Sequence, residues 1–319
     1  MNIYVLALDS VFDTGLATVL DALTTANELA AMTGMDSISF KVSVVGVRKR
    51  VKTSQGLQVP LVDDTGIAPD WVVVPAIGFK MPEPLVNALE RPDVADASER
   101  LRQWAAAGSQ IAAACIGTFV LAESGLLAGH EATTTWWLAP LFRQRYPEVR
   151  LTESHMVVRS GAFITAGAAL SHIDMALTLI RQISPELAAM TAKYLVVDTR
   201  PSQSTFIIND HLCHNDPMIS AFERWARANL SEGFSLDEAA AVLATSKRTL
   251  ARRMQDVMGK TPLAFFQDLR VERAVHLLKT SNVNIEAIAA EVGYADGVTL
   301  RTLLRRRLGQ GVKEIRGAL

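Results

Sequence analysis

Two groups of side chains in this 319-residue sequence are of types and spacing that could do chemistry. The first is basic. Lys247, Arg248, Arg252 and Arg253 follow the break Ala244-Thr245-Ser246, and Arg301, Arg305, Arg306 and Arg307 follow Gly293-Tyr294-Ala295-Asp296. Guanidinium forks suit phosphate oxygens and the guanine edge. The second is a single thiol. Cys115 ends the apolar run Gln110–Ala114 and is followed by Ile116, Gly117 and a helical pattern. On such a strand-to-helix elbow a side chain is held exposed above the sheet, and the helix dipole is expected to lower a thiol pKa. Most free cysteines are instead small buried apolar residues, and the sequence leaves both readings open.

The basic residues need elements that present them together. Ser235 to Gly259 and Asn282 to Gly309 each read as helix, tight turn, helix. The first helices carry Leu236, Ala240 and Leu243, or Ile285, Ile288 and Val292, at helical spacing. The second helices have narrow apolar stripes (Leu250, Met254, Val257; Leu300, Leu304, Leu308) on an otherwise basic surface. In a helix-turn-helix the first helix braces and the second enters the major groove near its N-terminus. One such basic face reads equally well as the solvated side of a helical bundle. Two copies, each basic on its second helix, favour DNA. Pro262–Lys279 joins them as a helix of about 25 Å at about 1.5 Å per residue, so both can reach successive grooves roughly 34 Å apart. The expected base readers are Lys247, Arg248, Thr249 and Arg252 in the first copy, and Val298, Thr299, Arg301 and Thr302 in the second. Arg305 and Arg306 lie deeper and are expected to grip phosphate.

The first two thirds of the chain alternate strand and helix. Strands are expected at Ile3–Leu8, Phe40–Val47, Trp71–Val74 and Gln110–Ala114, with helices at Thr14–Ala31 and Ser98–Ala107. A fifth strand is expected before Trp136, a hairpin at Ser160-Gly161, and helices over Ala169–Ile183 and Pro185–Val196. Apolar strands separated by helices imply a parallel sheet covered on both faces, with ligands beyond the C-terminal strand ends. The expected architecture is an α/β N-terminal domain, residues 1–197, and an all-α C-terminal domain with two helix-turn-helix motifs, 218–319. A turn-rich linker, 198–217, separates them.

The C-terminal region resembles the DNA-binding domain of AraC-type transcriptional regulators. The resemblance is carried by Ser246–Met254, Gly259-Lys260-Thr261-Pro262, Leu269–Leu278, Ile285–Asp296, Gly309 and Ile315-Arg316, about 85 residues together. The sequence departs from that pattern at Leu300 and Leu304, where Phe is usual, at Thr302, often Arg, and at Gln310-Gly311, where Ser-Pro is usual. The N-terminal region resembles the PfpI/ThiJ-like domain of the class I glutamine-amidotransferase-like superfamily, in the form fused to AraC-type regulators (the GlxA type). That likeness runs from about residue 3 to 197, through Asp70–Gly78, the Cys115 elbow, Leu121–Gly129, Ala132–Trp136, Thr165–Gly167 and Ile173–Leu177. It implies a flavodoxin-like sandwich, a homodimer, and effectors among amino acids, betaines and related nitrogen compounds.

A nucleophilic cysteine needs a base, usually His. Enzymes of this superfamily commonly carry His directly after the cysteine, where Ile116 stands, and regulators of this type often carry it where Thr135 stands. His130, His155 and His172 are not placed near Cys115 by spacing. The expectation is therefore a pocket that senses a small molecule and catalyses nothing, rather than an amidase- or hydratase-type enzyme using Cys115. Asp13, Cys115, Ile116, Gly117, Thr135 and Trp136 are its expected lining. A carboxylate with aromatic rings suits a cationic or amine-bearing ligand, although Asp13 could instead cap a helix and one of Trp136 and Trp137 could pack in the core.

Composition narrows the partners. The net charge of −1 conceals 14 Lys and Arg against 10 Asp and Glu from Leu230 onward, and 18 against 23 before it. Such a basic tail on an acidic body fits double-stranded DNA at one end only. Two cysteines, Cys115 and Cys213, fit a reducing cytoplasm. No apolar run reaches the roughly 18 residues of a membrane helix, and the N-terminus lacks the basic region of a signal peptide. His211, Cys213, His214 and Asp216 cluster without a recognised zinc spacing, so no metal and no cofactor are expected. RNA polymerase would be a further partner if the protein activates transcription.

Overall fold

A computed structural model of the chain describes residues 1–63, 66–198, 200, 202–203 and 216–317. It divides into two compact units, Met1–Ser204 and Thr205–Leu319. The boundary falls inside the stretch 198–217. His211, Cys213 and His214, with the metal question raised by their spacing, lie outside the described residues.

The first unit is built on a six-stranded sheet. Its strands are β1 (Asn2–Leu6), β2 (Lys41–Val45), β5 (Trp71–Val74), β6 (Gln110–Ala114), β9 (Val157–Ser160) and β10 (Phe163–Ala166), in the order β2-β1-β5-β6-β10-β9. β2, β1, β5, β6 and β10 run parallel, with Val5 opposite Val44 and Val73, and Thr165 opposite Ala113. Alternate residues of each strand serve opposite faces, as the pleat requires. Ile3, Val5, Trp71, Val73, Ala112 and Ala114 pack against α1 (Asp13–Met32), α6 (Ser171–Ile183) and α7 (Pro185–Tyr194). Tyr4, Leu6, Val72, Val74, Ile111 and Ala113 pack against α2 (Pro82–Leu89), α3 (Pro92–Ala106), α4 (Gly117–Glu123) and α5 (Ala139–Arg145). Both faces are therefore dry, which is why β5 and β6 read as unbroken apolar runs. A short hairpin, β3 (Val51–Lys52) with β4 (Gln58–Val59), stands apart from the sheet.

The hairpin expected at Ser160-Gly161 is present: β9 turns back on β10 and lies antiparallel at the edge of the otherwise parallel sheet, Gly161 taking φ +61°. Two other expectations are corrected. The helix expected at Ser98–Ala107 begins at Pro92, and α2 precedes it. A proline stands in the first turn of each, where its missing N–H costs no hydrogen bond. The segment before Trp136 is not a sheet strand. It gives only β7 (Glu131–Ala132), paired with β8 (Arg150–Leu151) in a separate ribbon. The backbone then leaves the ladder because Thr133 N–H donates to the Thr165 hydroxyl at 2.8 Å, and the fifth parallel position falls to β10.

The second unit is helical: α8 (Pro217–Ala228), α9 (Leu236–Val242), α10 (Lys247–Met258), α11 (Pro262–Thr280), α12 (Ile285–Glu291), α13 (Gly297–Leu308) and α14 (Val312–Gly317). Phe222, Trp225, Phe234, Phe265 and Phe266 form an aromatic core for the first half, with neighbouring ring centroids 5.2 to 6.4 Å apart. Ala274, Ile288, Val292, Leu300 and Leu304 form the core of the second half.

Candidate functional site

The helix pairs α9–α10 and α12–α13 repeat, the first helices with an offset of 49 residues and the second with 50, and the same devices recur at equivalent positions. Ser246 and Asp296 cap the two second helices, their side chains accepting from Thr249 N–H at 3.0 Å and Thr299 N–H at 2.7 Å. Those bonds hold the exposed Asp296 carboxyl below its usual range. Gly259 and Gly309 end the helices in the left-handed region, at φ 64° and 70°, where a side chain is costly. Leu250, Met254, Leu300 and Leu304 are fully buried. Burying those positions turns Lys247, Arg248, Arg252, Val298, Thr299, Arg301, Thr302, Arg305 and Arg306 outward, and all are exposed. Thr249 is half-buried, its hydroxyl 2.8 Å from that of Ser246, so it is partly committed to the cap.

The basic side chains divide by partner. Arg253 pairs with buried Asp216, which also caps α8 through Met218 N–H at 2.9 Å. Arg307 pairs with Asp268 at 3.0 Å. Both therefore brace the unit itself, although their own guanidiniums stay partly exposed. Lys247 lies 2.7 Å from Asp237, and Arg301 4.0 Å from Glu286, each acid standing on or beside the bracing helix of the same motif. Arg248, Arg252, Arg305 and Arg306 form no ion pair among the described residues. One contributor had no sequence signal: Arg270 on α11 lies over Phe266 at 4.8 Å and Tyr294 at 5.3 Å and donates to Leu230 O at 2.9 Å, tying the two motifs together.

In the first unit, Cys115 sits between β6 and α4 at φ +56°, a strained setting for a side-chain-bearing residue. Its N–H donates to Ala166 O at 2.9 Å, and its carbonyl accepts from the Thr134 hydroxyl at 2.7 Å. Gly117 is required by its neighbours, since a Cβ there would lie 2.2 Å from Val74 O. The expected lowering of the thiol pKa is overturned. Burial pushes it up to about 12, against a hydrogen bond from Ile116, the Thr135 hydroxyl and the Lys80 charge. A short helix end does not offset removal of a thiolate from water.

No histidine hydrogen-bonds Cys115 among the described residues. His172 is buried, with Nδ1 2.6 Å from Ala169 O and Nε2 accepting from Ala76 N–H at 3.2 Å. Burial lowers its pKa to about 4, so the ring is neutral and both nitrogens are occupied. His130 Nδ1 lies 3.1 Å from the Ser160 hydroxyl, and His155 Nδ1 3.4 Å from that of Ser154.

Cys115, Ile116, Gly117, Thr135 and Trp136 are all buried. Thr135 Oγ1 is buried, acts on the thiol's acidity and makes no hydrogen bond among the described residues. Asp13 is the first residue of α1, and its Oδ2 accepts from the Ser54 hydroxyl at 2.7 Å and Gln55 N–H at 3.1 Å, with the Thr53 side chain also beside the carboxylate. Burial opposes ionisation there, but bonds from Thr53, Ser54 and the backbone outweigh it and hold the carboxyl low. Trp136 meets Trp137 edge-on at 5.4 Å, and Trp137 Nε1 donates to Lys80 O at 3.0 Å. A separate open cleft of about 420 Å³ lies against α1 and α6, lined among others by Thr18, Asp21, Leu170, Ile173 and Arg200.

No helix among the described residues is long and apolar enough to cross a membrane. Residues 1–182 match the model of the DJ-1/PfpI family, and residues 239–318 match that of a helix-turn-helix domain. The chain is 26% identical over 296 residues to the HTH-type transcriptional regulator GbdR of Pseudomonas aeruginosa, covering 91% of this chain and 77% of that one. It is 27% identical over 220 residues to the HTH-type transcriptional regulator ArgR of the same species, covering 68% and 67%. Among solved structures, an AraC family transcriptional regulator from Pseudomonas putida superposes with TM-score 0.51 at 18% identity, covering 61% of this chain and 98% of that one, a likeness of fold. The chain thus belongs to the DJ-1/PfpI family through its N-terminal unit and carries behind it the helix-turn-helix domain of an AraC-type, DNA-binding transcriptional regulator.

Proposed function

We propose that the protein is an effector-responsive regulator whose N-terminal unit binds a small amine- or amino-acid-like molecule and catalyses no reaction on it. The observation that carries the DNA side is the doubled helix-turn-helix, with Arg248 and Arg252 on one second helix and Arg305 and Arg306 on the other, exposed and without ion pairs among the described residues. α11, of 19 residues and about 28 Å, suits two readers in successive major grooves. Lys247, Arg248, Thr249, Arg252, Val298, Thr299, Arg301 and Thr302 read base edges, and Arg305 and Arg306 hold phosphate. Selection of duplexes from a random pool by the full chain, followed by binding across a salt series, tests this. Binding that falls steeply with salt and prefers a defined pair of half-sites is expected. Salt-insensitive or absent binding overturns it.

Asp13, Cys115, Ile116, Gly117, Thr135 and Trp136 form the effector site in this reading. The Asp13 carboxylate, held ionised, and the Trp136 indole supply a negative charge and a ring for a cationic group. The raised thiol and the occupied nitrogens of His172 support sensing over catalysis. The protein acts as a homodimer on paired sites, and contacts RNA polymerase where it activates. A thermal-shift series with cationic amines and amino acids against the full chain reads the effector class, because a ligand of the folded state raises Tm by mass action. A series in which only anionic compounds raise Tm overturns the class.

A further inference from the structure

We propose that Gln203 is a latch connecting the Cys115 elbow to the chain that leads into the DNA-binding unit. Gln203 belongs to the first unit and is only 1% exposed. Its Nε2 donates to Glu153 O at 2.7 Å and Thr134 O at 3.0 Å, and its Oε1 accepts from Ala168 N–H at 3.0 Å. Its backbone N–H donates to Ser154 O at 2.9 Å, the same carbonyl that accepts from the Ser202 hydroxyl at 2.7 Å. Two carbonyls and one N–H thus match the donors and acceptor of a primary carboxamide, a pattern that an Asp or Glu carboxylate cannot satisfy. The fit is close: a Cβ on Gly167 would lie 2.4 Å from Gln203 Oε1.

Thr134 makes this socket more than an anchor. Its carbonyl receives Gln203, and its hydroxyl donates to the Cys115 carbonyl at 2.7 Å. The strained elbow and the last described residue before the DNA-binding unit are therefore two hydrogen bonds apart, through one residue. With Gln203 out of its socket, two buried carbonyls and an N–H lose partners at once, so seated and released are separate states rather than degrees of one. Any group that moves the 133–135 turn when it binds at the elbow shifts the balance between them, and by linkage the latch biases the elbow in return. The regulatory use of the latch rests on the sensing role proposed above. The coupling itself does not.

The test uses the full chain without DNA or effector. Hydrogen exchange at the Gln203 amide is compared in wild type, Thr134→Val, Thr134→Ser and Ser109→Ala. Ser109 is a buried hydroxyl bonded to Pro69 O at 2.6 Å and serves as the control for general loss of stability. Thr134→Val is expected to speed exchange at least about fivefold, the worth of one buried hydrogen bond, while Thr134→Ser and Ser109→Ala stay near wild type. Equal exchange in Thr134→Val and Ser109→Ala overturns the proposal. In the reverse direction, Gln203→Ala is expected to speed maleimide labelling of Cys115, read on its own peptide, at least about fivefold. Unchanged labelling overturns it even if Thr134→Val fails to fold. Failure of the duplex selection would sink the regulatory reading and leave both measurements standing.

Discussion

Gly117 approaches Val74 so closely that a Cβ on the glycine would stand 2.2 Å from the Val74 carbonyl oxygen, with Pro75 O at 2.8 Å. The first turn of α4 is thereby seated on the exit of β5, and the elbow takes its position from that contact. The obstacle is backbone, which cannot swing aside as a side chain can. Gly117→Ala is therefore expected to destabilise the N-terminal unit by about 3 kcal/mol, the upper part of the usual overpacking range. Denaturant unfolding followed by tryptophan fluorescence reads this, and a midpoint equal to wild type would contradict the packing account.

Neighbouring arginines on α10 are expected to fail differently. Arg253→Ala leaves the Asp216 carboxylate buried without its ion pair. It should lower stability of the DNA-binding unit by about 1–2 kcal/mol, discounted because the guanidinium is itself half-exposed. Arg252→Ala should leave the melt unchanged and cost about 1–3 kcal/mol in binding to the selected duplex, with relaxed preference at one base position. Interchanged effects in melting and gel-shift measurements would reverse the two assignments.

Arg305 and Arg306, exposed on the last turns of α13, are expected to act through phosphate. Replacing either by Ala should weaken binding to all duplexes alike and reduce the slope of log K against log salt by about 1. A loss confined to one sequence would make the residue a base reader.

His172 carries a pH dependence whose sign follows from its burial. Its pKa falls from 6.5 to about 4 on folding, so the unfolded chain takes up a proton first as pH drops. Its contribution is intact above about pH 6.5 and is lost progressively toward pH 4, amounting to about 2 kcal/mol between pH 7 and 5. Urea unfolding at the two pH values should show that difference, and His172→Gln should remove that part of it. An unchanged pH dependence in the variant would place the titrating group elsewhere.

Cys115 should be a poor nucleophile. With burial holding its pKa near 12, the native thiol is expected to resist iodoacetamide from pH 7 to 10 and to label promptly once urea unfolds the chain. Labelling that rises with a midpoint near 8.5 in the native protein would restore the enzyme reading.

Local pattern made much of this protein legible. The apolar runs at Trp71–Val74 and Gln110–Ala114, the 3.6-residue stripes through Leu250 and Met254 and through Leu300 and Leu304, and the glycines at 259 and 309 are consequences of short-range geometry, and each stands where expected. What depends on residues distant along the chain was not legible. Thr133 leaves the ladder for a hydroxyl 32 positions away, so the fifth parallel strand is Phe163–Ala166. Arg253, itself half-exposed, is paired with an aspartate 37 positions before it, while Arg252 forms no ion pair among the described residues. The elbow could be read from the residues around Cys115, but the thiol's acidity could not. Helix dipole and charge spacing are written along the chain, whereas desolvation is set by the side chains that tertiary packing brings over the sulfur, and at Cys115 desolvation dominates.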